Sequence, residues 1–104
     1  MHLYVEPGQD GVVELREADD FTSLKVVAAG PEDWTALADA LRAAASLEPP
    51  HAWLGLEALA GLSGRGDDPA WRDGFAKMVD YARTQGWVNE AGSAVRAHVE
   101  WWDG

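Results

Sequence analysis

The sequence predicts an α+β domain in which strands come first, helices follow and a β-hairpin closes the chain. Three observations predict it. Residues 1–30 alternate apolar and polar side chains with period two, residues 34–45 and 71–82 repeat apolar side chains every three or four positions, and residues 93–102 return to alternation. Period two lays an apolar stripe along one face of a pleated strand, and the longer spacing lays one along a helix.

In the first segment Leu3 and Val5 oppose His2, Tyr4 and Glu6, and Val13 and Leu15 oppose Glu14 and Arg16. Leu24, Val26 and Ala28 oppose Ser23 and Lys25. The connections Pro7-Gly8-Gln9-Asp10-Gly11 and Ala18-Asp19-Asp20 are short enough for hairpins. The expected N-terminal unit is a three-stranded antiparallel meander with one wet face.

Pro31-Glu32-Asp33 opens a helix, since proline suits the first helical position and carboxylates suit the positive end of the dipole. Trp34, Leu37, Ala38, Leu41, Ala44 and Ala45 form its apolar stripe, and Glu48-Pro49-Pro50 ends it, which gives a helix over about 31–47. His51-Ala52-Trp53-Leu54 reads as a short strand, and Leu56 to Leu62 as a two-turn helix stopped by Ser63-Gly64-Arg65-Gly66. Asp68 as N-cap and Pro69 behind it start a helix over about 69–85, with Trp71, Phe75, Met78, Val79 and Ala82 on its apolar face and Gly86 as its stop. Trp87-Val88 and the strand Ser93 to Trp102 flank a four-residue loop, the expected C-terminal β-hairpin.

Composition narrows the function. The chain has 104 residues, 18 acids, 8 bases and no cysteine, for a net charge of −10. One domain over residues 1–104 is expected, with a core large enough to need no covalent staple. Disulfides and Cys-based zinc sites are excluded. No apolar run reaches the roughly 18 residues that a membrane span needs, and no signal-peptide pattern is visible, so a cytoplasmic location is expected. Acids exceed bases along the whole chain, which argues against nucleic acid and anionic lipid as partners. Six Arg against two Lys, with 18 Ala, point to a GC-rich bacterial genome.

From Pro31 onward the order helix, short strand, short helix, turn, longer helix and hairpin resembles the winged helix-turn-helix family, over residues 31–102. Leu56-Glu57-Ala58-Leu59-Ala60 resembles the first tri-helical element after the family's short strand. Tyr81-Ala82-Arg83-Thr84-Gln85-Gly86-Trp87-Val88 resembles a recognition helix running through glycine into the wing. The resemblance implies that the helix at 69–85 faces DNA with residues 89–92 as the wing tip, as in a transcription regulator. The charges of that helix oppose this use: Arg72, Lys77 and Arg83 meet Asp73 and Asp80, and Asp67 and Asp68 stand at its leading end.

Chemistry is sparse. His98 and Glu100, two apart on a strand, share a face about 7 Å apart. They suit a general base with an orienting carboxylate, or two of the three protein ligands of a catalytic zinc. His51 joins them if its strand lies beside the last one, and Tyr81 is a further candidate. The plainer alternative is a solvated polar face with Arg96 paired to Glu100. Gly61 to Gly66 is glycine-rich but lacks the Walker lysine and follows a helix, so it reads as a loop. No cofactor or metal is expected.

Trp34, Trp53 and Trp71 fit apolar stripes and belong to the core. Trp101 and Trp102 must point to opposite faces of their strand. With Trp101 inward, Trp102 stands out beside Arg96, and an exposed aromatic next to an arginine suits an interface. An uncovered last strand could also pair with a second copy. The expected function is a non-enzymatic protein-interaction or accessory module that self-associates. A small enzyme or ligand binder using His98, Glu100 and His51 is the alternative, and a winged-helix regulator the second.

Overall fold

Six strands form one mixed sheet in the order β2-β1-β3-β6-β5-β4. The elements along the chain are β1 (His2–Glu6), β2 (Val12–Arg16), β3 (Lys25–Ala29), α1 (Trp34–Leu41) with a 3-10 turn Arg42–Ala44, β4 (Ala45–Glu48), β5 (His51–Gly55), α2 (Leu56–Ser63), α3 (Pro69–Thr84) and β6 (Ala94–Trp102). The computed structural model describes residues 1–7 and 12–102, so the expected turn at Gly8 to Gly11 lies outside the described residues.

The chain is α+β, but its topology corrects the expected one at three points. The first is the meander. β1 and β2 pair antiparallel, whereas β3 lies on the other side of β1 and runs parallel to it, Leu3 opposite Val26. Residues 17–24 therefore carry the chain around the start of β1, and the Met1 amino group donates to the carbonyls of Asp20 and Ser23 at 2.8 Å. The second is the helix expected over 31–47. It starts after Asp33, whose side chain accepts from the Ala36 N–H at 3.0 Å, and stops at Arg42, whose φ of 50° leaves the helical region. Ala45–Glu48 then becomes β4, paired antiparallel with β5. Alanine-rich sequence favours a helix, but the pairing with β5 also turns Ala45 and Leu47 toward the core, and tertiary pairing wins over propensity.

The third correction concerns the C-terminal hairpin. Val88 makes a single bridge to Val95. β6 pairs along its length with β3, parallel, and with β5, antiparallel. The last strand is thus the middle of the sheet, and the edges are β2 and β4.

Alternation decides which face of this sheet is dry. Leu3, Val5, Val26, Ala28, Ala52, Leu54, Val95, Ala97 and Val99 are buried, and the register places all of them on one face. Leu37 and Leu41 of α1, Leu59 and Ala60 of α2, and Trp71, Phe75, Val79 and Ala82 of α3 complete the same core. Among the described residues no strand residue on the opposite face is buried. The described residues form two layers, helices and sheet, and leave one side of the sheet uncovered.

α3 begins as the sequence predicts, with Asp68 accepting from the Ala70 N–H at 2.9 Å and Pro69 at the first position. That amide bond, and the Arg65 guanidinium nearby, hold the Asp68 carboxyl below the usual carboxylate range. Inside α3, Gly74 lets Phe21 lie against the helix: a Cβ there would meet Phe21 Cδ2 at 2.8 Å. Gly74→Ala gains about 1 kcal/mol of helix propensity. The displaced ring leaves its place beside Trp71, however, and crowding of this kind costs about 1–3 kcal/mol. A net loss is expected, read as a lower urea midpoint, and a raised midpoint would show that Phe21 moves freely.

Candidate functional site

The uncovered face is ordered in rows by the strand register. One row runs Arg16, His2, Lys25, His98, His51, Glu48 across all six strands. The next runs Glu14, Tyr4, Val27, Glu100. Toward one end of the sheet Ala29 lies opposite Trp102, and toward the other Arg96 lies opposite Trp53 and Trp53 opposite Ser46. All three histidines of the chain share the first row.

His51 and His98 do converge, as directly opposed residues of β5 and β6 with ring centroids 5.7 Å apart and planes at 75°. Glu100 does not serve His98. Its carboxylate is held by Lys25 Nζ at 3.2 Å, so neither the His98–Glu100 dyad nor an Arg96–Glu100 pair is formed. Tyr81, on α3 and 61% exposed, belongs to the helical layer, away from the histidine row. Among the described residues no group of three or more His, Asp or Glu is placed to hold a metal ion.

Local ion pairs fix much of the face. Arg16 takes Glu14 at 3.0 Å and lies over the Tyr4 ring, its guanidinium carbon 3.8 Å from the centroid. The Tyr4 hydroxyl donates to Glu6 at 2.9 Å, and this bond to a carboxylate raises the phenol pKa. The cations expected on the outward side of α3 are engaged too: Arg72 with Glu57, Lys77 with Asp73 and Arg83 with Asp80.

Trp102 stands out from β6 with 60% of its surface exposed, while Trp101 points inward and packs edge-on against Trp34 at 5.3 Å. This is the opposition that adjacent strand positions require. Beside Trp102 lies a hollow of about 480 Å³ whose lining includes His2, Lys25, Val27 and Glu100. Arg96 is on the same face but six residues back along β6, about 20 Å away. It lines a different depression, a cleft of about 520 Å³ between α3, residues 21–24 and Trp87.

His2, Lys25 and Val27 were not candidates from sequence. Each alternates outward, but only the parallel pairing of β3 with β6 places them beside His98 and Trp102. No protein-family model, curated protein or solved structure matches the chain, so the resemblance to winged helix-turn-helix domains rests on the sequence pattern alone. No helix among the described residues is long and apolar enough to cross a membrane.

Proposed function

We propose that this protein is a non-enzymatic interaction module that self-associates through the uncovered face of its sheet. The observation that carries this reading is the exposed indole of Trp102 beside Ala29, on a face with no other layer against it. Large exposed aromatics on a continuous surface mark interaction sites. The hollow next to Trp102 has room for a side chain of its own size.

Charge favours a second copy as the occupant. Three cations (Arg16, Lys25, Arg96) and four carboxylates (Glu6, Glu14, Glu48, Glu100) stand on this face, so it contributes only about −1 to a chain of −10. Other surfaces of two copies repel one another more strongly. A two-fold axis running between the two rows sets Glu14 of one copy over Arg16 of the second, an isologous contact of unlike charges.

Sedimentation equilibrium tests the reading. A dimer is expected at high micromolar concentration, and Trp102→Ala is expected to weaken it about 30-fold, the loss of an aromatic anchor. A monomer at that concentration, or a dimer that Trp102→Ala leaves unchanged, would sink the proposal.

A further inference from the structure

Two of the three histidines in the first row meet across β5 and β6. The Val99 N–H donates to the Pro50 carbonyl at 3.0 Å, which makes His51 and His98 a non-hydrogen-bonded pair of this antiparallel ladder. Side chains of such a pair stand closer than those of a hydrogen-bonded one. The ring centroids are 5.7 Å apart. Two imidazoles that share one ion, each through a nitrogen about 2.1 Å from it, have centroids about 5 Å apart. A small turn about the side-chain bonds therefore closes the pair on an ion. His51 is half-buried and His98 exposed, so an ion reaches both from water.

The surrounding charge admits a cation. Among the described residues neither imidazole has a carboxylate within 4 Å, whereas His2 has Glu17 at 3.7 Å. Lys25, opposite His98 on β3, is neutralised by Glu100 at 3.2 Å. Arg96, two positions before His98, and Glu48, opposite His51 on β4, offset one another. The chain as a whole, at −10, attracts cations. Nitrogen ligands then choose among them: imidazole suits nickel, copper and zinc, whereas magnesium and calcium take oxygen.

We infer that His51 and His98 together bind one late first-row divalent transition ion, with water or a further ligand in its open positions. Two protein ligands leave more positions open than the three of a catalytic zinc. The pair lies on the face proposed for self-association, but one chain supplies both ligands, so the site does not rest on that reading.

Calorimetric titration with nickel chloride tests it, in excess magnesium so that diffuse binding to the acidic surface is already satisfied. One nickel ion per chain is expected. His51→Ala and His98→Ala each break the chelate and are expected to weaken binding about tenfold or more. His2→Ala is expected to bind as the wild type does, because His2 stands two strands from His98, about 10 Å away. Trp102→Ala is also expected to bind unchanged, which separates this site from the dimer. Electron paramagnetic resonance of the copper-loaded wild type gives a readout independent of any variant: splitting from two imidazole nitrogens is expected. No saturable nickel binding, undiminished binding by His51→Ala or His98→Ala, lost binding by Trp102→Ala, or copper held by oxygen alone would each overturn the inference.

Discussion

Trp71→Ala is expected to lose about 3–5 kcal/mol of folding stability, the range for removing a buried tryptophan. Trp71 is 2% exposed, stacks on Phe75 at 4.8 Å and 17°, and meets Phe21 at 6.0 Å. Its indole Nε1 donates to the carbonyl of Ala18 at 2.8 Å. These contacts join α3 to the connection that wraps around the start of β1, so the variant removes packing from the helical layer and a bond from the crossover together. The cavity left behind adds to the lost transfer energy, and the Ala18 carbonyl loses its partner. Trp71→Phe keeps most of the volume and loses the hydrogen bond, so a smaller loss of about 1–2 kcal/mol is expected. Urea unfolding of the two variants checks both figures. Equal losses would show that the bond to Ala18, rather than the packing, holds the helix in place.

Val26→Asp is expected to abolish cooperative folding, while Val27→Thr one position later shifts the midpoint by less than about 0.5 kcal/mol. The two valines are neighbours in β3, between β1 and β6, and point to opposite faces. Val26 is completely buried among the residues beneath the helices. Among the described residues no lysine or arginine side chain is buried to meet a carboxylate there, and burying an unpaired charge costs several kcal/mol, a large part of the roughly 5–15 kcal/mol that holds a domain folded. Val27 looks out over the uncovered face between Tyr4 and Glu100, where a hydroxyl reaches water and threonine suits a strand. Circular dichroism across a urea series separates the outcomes. A severe loss at Val27→Thr would mean that a second layer covers this face within the monomer, and the proposed interface would lose its surface.

Face assignment was legible in the alternation, because side-chain direction in a strand is a local property. Leu3 with Val5, Val26 with Ala28, and Trp101 against Trp102 all fall as the period-two pattern requires. The starts of the helices were legible in part: Asp68 and Pro69 mark α3, but the first helix begins after Asp33 and not at Pro31. In each case a side chain settles a backbone group a few residues away. Strand pairing was not legible. A strand alternates in the same way whether its neighbour runs parallel or antiparallel, so nothing near Leu24 says that β3 passes around β1 to its far side. Ala45 fits a helical stripe and a strand equally, and the pairing with β5 decides for the strand.

The candidate site divides along the same line. That His98, Glu100 and Trp102 share a face follows from their spacing on one strand, and that Trp102 is exposed follows from Trp101 being inward. Everything across the strands came from the fold. Register sets His51 against His98, gives Glu100 to Lys25, and moves the last strand from the expected edge to the middle of the sheet. Periodicity, capping and composition act over a few residues and are written in the chain. Register and the choice of neighbour come from closing distant segments around one core, and only the whole fold can choose them.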